Sequence, residues 1–452
     1  MNSLEWRVTA SLAAIYAVRM LGLFMILPVF ALYAETLPDS TPWLAGLAIG
    51  IYGLTQAIFQ IPLGILSDKI GRKPVIIGGL LVFALGSAVA ALAHSMWVIV
   101  LGRAIQGMGA VAAPTMALAA DLIREEHRVR TMGMIGLTIG VSFMLGMIIG
   151  PLVNQFGGVP SIFWLTLLLA LSGIALVVFA IPNPARTLQH RDAGIMKDYL
   201  GKALANVALL RMNVGVFILH LVMTANFLVL PTIFEQELGL PSSEHWKVYL
   251  PVFLGSFLLS IPLIIMAEKQ HKIRPLLLMA TVLLIVAELA MAAGHANATW
   301  LFVAFLLFFI GFNFLEAVQP SLVAKYSAVN TKGTAMGIFS SSQFLGIFAG
   351  GSLGGMVNHE WGVTGVFVLS AAIAAVWLLV ALKLPPPTFY TSRIVKLDPL
   401  LFSDKQRLHD ALLAVPGVKE VAVAADECIA YLKVDKASLD QSALDAFSSP
   451  SA

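Results

Sequence analysis

Four charged side chains fall within six positions, Asp68, Lys69, Arg72 and Lys73, inside Gly64-x-Leu66-Ser67-Asp68-Lys69-x-Gly71-Arg72-Lys73. Long apolar runs flank this stretch, so Asp68 should end one helix and Arg72 should open the next. Asp121, at the end of a later apolar run, is placed to meet them at the same membrane rim. Gly64 and Gly71 suit close helix approach and a tight turn. A second set of ionisable groups lies inside apolar runs. Glu316 has Asn313 and Gln319 one turn to either side, and the spacing predicts that all three share a face. A carboxyl in a low-dielectric cavity can load and release a proton near neutral pH, which makes Glu316 the leading proton-coupling candidate. Glu288 is the second acid of this kind. His220, with Asn213 and Asn226 nearby, either titrates, binds substrate or serves only as a packing residue. Arg19 and Arg103 also sit in apolar runs, where a charge costs about 2.5–3.5 kcal/mol on insertion scales and needs a partner or water. Arg103 is expected to bond carbonyls of the first helix. Arg19 either lines a cavity or snorkels to the inner surface.

This is charge and proton handling, not bond-making chemistry. The chain shows no phosphate-binding loop, no metal-ligand spacing and no nucleophile–base pair. An enzyme, an ATP-driven pump, a metal centre and a nucleic-acid partner are therefore not expected. The energy source would be a proton gradient, with no cofactor.

The elements that hold these residues are membrane helices. Of 452 residues, 59% are hydrophobic and 12% charged, against about 45–50% and about 25% in soluble domains. Mean hydropathy is +0.88. The apolar runs suit helices and lack the alternation of a β-barrel. Twelve spans are predicted, near 11–33, 43–66, 74–93, 97–121, 130–153, 161–181, 212–234, 246–267, 275–293, 299–323, 334–357 and 363–384. The first is read as a retained helix and not a signal peptide. Every second loop is basic, which predicts that both termini are cytoplasmic in a multi-pass protein of the cell inner membrane. The single Cys428 excludes an internal disulfide.

The two halves repeat. Phe24-Met-Ile-Leu-Pro28 matches Phe227-Leu-Val-Leu-Pro231, and Trp43 matches Trp246. Pro114 matches Pro320; Met132-Gly133, Gly146 and Gly150 match Met336-Gly337, Gly350 and Gly354. The loop at Asp68 returns as Glu268, Lys269, Lys272 and Arg274 without its glycines. Parallel repeats joined by a long loop describe a two-lobed transporter with its path between the lobes. The fold class expected is an all-α membrane protein of two pseudo-symmetric six-helix lobes, 1–181 and 212–384, plus a small α+β domain. The join, 182–211, mixes Leu188, Ile195, Met196, Tyr199, Leu200 and Leu204 with Arg191, Lys197 and Lys202. It is either a surface amphipathic helix or a solvated linker. A Pro-rich linker, 385–392, leads to a domain at 393–452. Strands at Arg393–Leu397, Val418–Ala424 and Cys428–Val434, with helices at Ser403–Val415 and Ser438–Phe447, give a ferredoxin-like order lacking its last strand. Turns are expected at Pro416-Gly417 and Asp426-Glu427, and Ser403 is a plausible cap.

The Gly64–Lys73 stretch closely resembles the signature loop of the Major Facilitator Superfamily, with Lys69 where arginine is usual. Arg103-x-x-Gln106-Gly107 resembles the fourth-helix motif of proton-coupled members. Gly146-x-x-x-Gly150-Pro151 resembles the fifth-helix motif of drug/proton antiporters. A ferredoxin-like tail resembles a subgroup of efflux-type facilitators. Gly417–Val423 also resembles metallochaperone-like domains, but Asp398–Asp404, where their metal-binding cysteines would stand, has none. The resemblance implies that Asp68, with Gly64, Gly71, Arg72, Lys73 and Asp121, is a gate latch. Asp68 would engage the start of the eleventh helix, near Gly333–Thr334, when the inner gate is closed. It implies proton-coupled export of a small lipophilic or cationic molecule by a monomer. The tail is read as regulatory, leaning on the lobes or binding a ligand or partner. The alternatives are a metabolite importer or uniporter, or a membrane sensor.

Overall fold

The computed structural model describes residues 1–183, 197–328, 331–397, 405–424, 428–436 and 438–447. Among these, ten helices are long and apolar enough to cross a membrane. Two of them, Arg130–Ala180 and Lys332–Ala381, are each two helices joined through non-helical backbone, at Gly157–Gly158 and at Gly362. Ten plus two gives the twelve passes. They are α1 (Ser3–Phe24), α2 (Pro42–Ile70), α3 (Arg72–Ala91) and α4 (Met96–Leu122). Glu125–Ala175 divides at Gly157–Gly158 into α5 and α6. Then come α7 (Val207–Thr232), α8 (Trp246–Lys269), α9 (Ile273–Gly294) and α10 (Ala298–Tyr326). Lys332–Ala381 divides at Gly362 into α11 and α12.

The first helix starts well before its apolar run because its amino end is capped. Asn2 Oδ1 accepts from Glu5 N at 2.8 Å and Glu5 Oε2 accepts from Asn2 N at 2.8 Å, a capping box. It ends at Phe24, and Pro28 separates it from a short continuation, Phe30–Ala34.

Gly71 joins α2 to α3 with φ +99°, a conformation open to glycine and strained for other residues. In the second half, His271 takes the corresponding turn with φ +58°. Gly71→Ala is expected to destabilise the protein by about 1–2 kcal/mol, read as a lower unfolding temperature in detergent. Gly78→Ala is the control. It is helical and a Cβ there meets nothing within 4 Å, so it should be neutral or stabilising by about 0.5–1 kcal/mol.

Lipid tails are as apolar as leucine, so membrane helices associate through close packing. A Cβ on Gly146 would stand 2.8 Å from Phe24 Cβ, and one on Gly150 would meet the Met25 carbonyl, so α5 lies directly on α1. The second half repeats the device: a Cβ on Gly346 or Gly350 would meet the carbonyls of Phe217 and Leu221 on α7.

Glycine also closes one seam between the lobes. Gly46, Gly50 and Gly53 of α2 face the backbone of α11 at Gly351, Phe348 and Phe344, and Gly355 faces Pro42. These contacts lie in the half of the molecule away from the basic loops. Gln155 Nε2 donating to Ser243 O at 3.1 Å and Gln236 Nε2 donating to Glu35 Oε2 at 3.1 Å join the lobes at the same end.

Of the join between the lobes, Leu188, Arg191, Ile195 and Met196 lie outside the described residues. A helix at Lys197–Ala205 follows, with Leu200 packed on the core and Ala203 buried. Asn206 then caps α7.

The tail carries an antiparallel sheet ordered β1-β3-β2, with β1 Thr391–Lys396, β2 Val418–Ala424 and β3 Ile429–Val434. The helices α13 (Lys405–Leu413) and α14 (Gln441–Asp445) complete it. Val395, Leu408, Leu412, Val421 and Leu432 form its core. The second helix is shorter than predicted: Asp440 Oδ1 accepts from Ala443 N at 3.0 Å and starts it at Gln441, past Ser438. Ser403, the Asp398–Asp404 stretch and the Asp426-Glu427 turn lie outside the described residues.

The tail docks on the end of α10. Lys433 of β3 donates to Ser327 O and, at 3.4 Å, to Lys325 O. Asn206 Nδ2 donates to Tyr326 O at 3.2 Å, Tyr326 Oη donates to Pro385 O at 2.7 Å, and His271 packs edge-on to Phe389 at 3.8 Å. The last carbonyls of a helix lack intrahelical partners, and here the tail and the inter-lobe join supply them.

Candidate functional site

Between the lobes lies a cavity of about 560 Å³. Its lining runs from Phe24, Phe143 and Phe253 down to Ile264 and Pro320, within two turns of the basic ends at Lys269 and Lys325. The lobes are thus joined at one end and parted at the basic end.

Glu316 is the carboxylate on the wall, with its side chain 38% exposed. Its Oε2 lies 3.6 Å from His220 Nε2. Gln343 of α11 bridges the pair: its Nε2 donates to His220 Nε2 at 2.7 Å and to Glu316 Oε1 at 3.4 Å. His220 Nδ1 faces Val216 O at 3.1 Å. A neutral imidazole that donates from Nδ1 and accepts at Nε2 satisfies both contacts. Protonating Nε2 turns it into a donor. The Gln343 amide must then rotate, and the new N–H is free to meet Glu316.

The predicted polar face of α10 is split. Asn313 lines the cavity and donates to Ser256 Oγ at 3.0 Å. Gln319 is fully buried elsewhere, and its amide finds no partner among the described residues. At about 100° per residue, Asn313 and Gln319 point roughly 120° apart, so one face cannot hold both. Asn226 does not serve His220: its Nδ2 donates to Glu288 Oε1 at 2.6 Å, inside the C-terminal lobe and away from the cavity. Glu288 is fully buried there. Asn213 is half-buried and does not bond His220 either.

Arg19 neither snorkels nor lines the cavity. It is 2% exposed, with Nη2 donating to Tyr52 Oη at 2.9 Å and to Gln56 Oε1 on α2. The cavity wall is instead Tyr16 and Met20, on either side of it in sequence. The partners of Arg103 belong to the second helix and not the first: Nε donates to Ala48 O at 3.3 Å, and its guanidinium lies 4.9 Å from the Tyr52 ring centre. The cause is packing. A Cβ on Gly107 would meet the Tyr52 carbonyl, so α4 lies on α2. Arg103 Nη1 also donates to Gln106 Oε1 at 2.8 Å, and Gln106 Nε2 donates to Ser87 Oγ at 2.7 Å, tying α4 to α3.

At the basic rim, Arg72 gathers the charges. Its Nη1 donates to Asp68 and, at 2.8 Å, to Ser67 Oγ; its Nε donates to Asp121 Oδ2 at 3.1 Å. Ser67 Oγ in turn donates to Gly64 O at 2.7 Å. Lys73 Nζ donates to Ile181 O at 2.8 Å and holds the end of the sixth pass. Among the described residues, Asp68 bonds only within its own lobe and not to the amino end of α11 at Gly333–Thr334. The second half is wired differently. Glu268 pairs with Lys325 at 2.9 Å, and Arg274 Nη2 donates to Leu382 O at 2.8 Å.

Two further residues, Phe143 and Gln343, are central to the site. Phe143 of α5 meets Phe24 of its own lobe at 5.0 Å and Phe253, Phe227 and Phe309 of the other lobe at 5.2, 5.9 and 5.9 Å. It is the aromatic joint that roofs the cavity. Gln343 is a polar residue inside an apolar span, the same sequence signal that marks Glu316.

A family model described as Major Facilitator Superfamily matches residues 12–267 and, in a second match, 212–416. The inner membrane transport protein YajR of Escherichia coli strain K12 is 44% identical over 431 residues, 95% of this chain and 94% of its own length. The multidrug resistance protein MdtH of Cronobacter sakazakii is 26% identical over 342 residues, 74% of this chain and 81% of its own. Among solved structures, a bacterial homologue of the human lysosomal transporter Spinster, inward-facing and occupied, superposes with a TM-score of 0.69. Sequence identity is 14%, with 84% of this chain and 97% of that one covered.

Proposed function

The chain belongs to the Major Facilitator Superfamily, and from that premise we propose that it is a proton-coupled exporter of small lipophilic or cationic compounds. The observation that carries this reading is Glu316. It is a lone carboxylate on an otherwise largely apolar cavity wall, bridged through Gln343 to a titratable imidazole. Varied lipophilic molecules fit walls rich in aromatic residues and methionine, with a few polar groups fixing orientation.

Basic loops mark the cytoplasmic side, so the cavity faces the cytoplasm and both termini lie there. The inner membrane is the location suggested by the YajR relative's name, and the MdtH name supports export. A cation enters from the cytoplasm and pairs with ionised Glu316. The lobes then rock: the α2–α11 seam and the Phe143 joint part, and Asp68 engages the amino end of α11, where free N–H groups and the helix dipole attract a carboxylate. On the outside a proton replaces the cation on Glu316 and returns inward with it. Each charge moved contributes about 2.3 kcal/mol per 100 mV, plus the pH term.

The test is proton release from proteoliposomes on addition of tetraphenylphosphonium, comparing wild type with Glu316→Gln. Wild type should show substrate-dependent proton flux and the variant should show none. Full coupling in the variant would remove Glu316 from the mechanism. Uptake that ignores an imposed pH gradient in wild type would favour a uniporter.

A further inference from the structure

One acid inside the membrane helices has no place in the cycle above. Glu288 of α9 is fully buried in the C-terminal lobe, with Leu284, Ala287 and Met291 of the same helix buried alongside it. It lines no part of the cavity. Its Oε1 accepts from Asn226 Nδ2 of α7 at 2.6 Å. The other two oxygens of this pair, Glu288 Oε2 and Asn226 Oδ1, are buried and find no donor among the described residues. No lysine, arginine or histidine among those residues pairs with the carboxyl. An ionised carboxylate can only accept. It would leave both oxygens bare and place an unpaired charge in an apolar interior, which costs far more than a neutral acid. One proton removes all three faults. Placed on Oε2 it makes a hydroxyl, and Asn226 Oδ1 is the bare acceptor on the amide that already bonds the other oxygen of the same carboxyl.

We infer that Glu288 is a neutral acid with a resident proton, closed into a two-bond ring with the Asn226 amide that ties α7 to α9. The carboxyl donates to Asn226 Oδ1 and accepts from Asn226 Nδ2, so both bare oxygens are used. The tie reaches the cavity roof through the next residue. Phe227 follows Asn226 on α7, and its ring meets Phe143 of the N-terminal lobe at 5.9 Å. Holding Asn226 fixes the rotation of α7, and with it the direction in which Phe227 is presented. Glu288 and Asn226 are positioning residues. The proton on Glu288 stays with the protein while the one at the cavity wall is exchanged. That contrast rests on the function proposed above; the ring rests on the two bare oxygens.

The experiment uses the full chain in proteoliposomes. Subtracting the infrared spectrum of Glu288→Gln from that of wild type should isolate the C=O band of a hydrogen-bonded carboxylic acid, unmoved by tetraphenylphosphonium. A carboxylate band in its place overturns the ring. Glutamine offers one donor and one acceptor in the same shape, so Glu288→Gln should keep the wild-type unfolding temperature. Glu288→Leu leaves the Asn226 amide unpaired and should unfold at a lower temperature. A glutamine variant less stable than the leucine variant overturns the ring. Gln236 lies further along the same helical run and bonds Glu35 across the lobes, so it reports the positioning. Crosslinking of cysteines at those two sites, with Cys428 changed to serine, should match wild type in Glu288→Gln and fall in Glu288→Leu. Equal yields in the two variants overturn the positioning role. Proton flux on addition of tetraphenylphosphonium should survive in Glu288→Gln; its loss there overturns the resident proton. No such flux in wild type would remove the exporter reading and leave the ring standing on its infrared band.

Discussion

Replacing Arg72 by alanine is expected to lower stability by about 3–5 kcal/mol, seen as a large drop in unfolding temperature in detergent. The guanidinium is 1% exposed and serves two carboxylates, Asp68 and the fully buried Asp121. Taking it away empties a fully buried site and deprives both acids of the cation they share, and buried charge without its partner is the expensive case. Arg72→Lys should recover only part of the loss. A point charge cannot present Nη1 and Nε to two acids at fixed angles as the planar fork does. An unfolding temperature within a degree or so of wild type would show that the rim is solvated and that these charges only set topology. Activity should fall with stability for a second reason. Released from Arg72, Asp68 is no longer held near the rim from which, in the proposed cycle, it engages α11.

The second large effect is conformational. In Gly46→Val, a Cβ would meet the Gly351 carbonyl, with its carbon at 2.9 Å and Gly355 Cα at 3.1 Å. These are backbone atoms of a long helix and cannot turn aside. Overpacking of this kind costs typically about 1–3 kcal/mol, and it acts only in the conformation in which the seam is shut. With each 1.4 kcal/mol worth about tenfold in population, the variant should spend most of its time with its outer side open. Cysteines at Glu35 and Gln236, which bond across the lobes here, with Cys428 changed to serine, give the readout. Their crosslinking yield should collapse in Gly46→Val and in Gly351→Val. Global stability should change much less. An unchanged yield would mean that the seam tolerates a side chain and does not set the equilibrium.

Charge and glycine were the most legible features of the chain. The cluster from Asp68 to Lys73 is readable because charged residues are rare enough in apolar sequence to locate a rim. The positive φ at Gly71 and the close approaches at Gly146 and Gly150 follow from residues that carry no Cβ. The twelve passes followed from run length alone. Helix rotation was much less legible. A membrane helix that is apolar on every side carries little periodic signal to say which face looks inward. For that reason the sequence puts Gln319 beside Glu316, points Arg103 to the first helix and sets Asn226 near His220, where the fold turns them to other neighbours. Phe143 is one phenylalanine among 26, and nothing local sets it apart. Its role comes from four rings that converge from four other helices. The α5 glycines read the same whether they are filled by a neighbour or left open. Gly146 is filled by Phe24 and Met25 at the end of α1, and Gly140 meets nothing within 4 Å.

The end of α10 carries a consequence for how the motion could be watched. Lys433, Asn206 and the Tyr326–Pro385 contact fasten the tail and the start of α7 to the helix that bears Glu316. The tail therefore rides on the C-terminal lobe as an outrigger. A small rocking of the lobes becomes a wider sweep at its far edge, as a pointer magnifies the turn of its spindle. One dye on that edge and another on the N-terminal lobe would report each transport cycle as a distance change, with no label inside the cavity to disturb it. Lys433→Ala would blur that signal by letting the pointer slip on its axle.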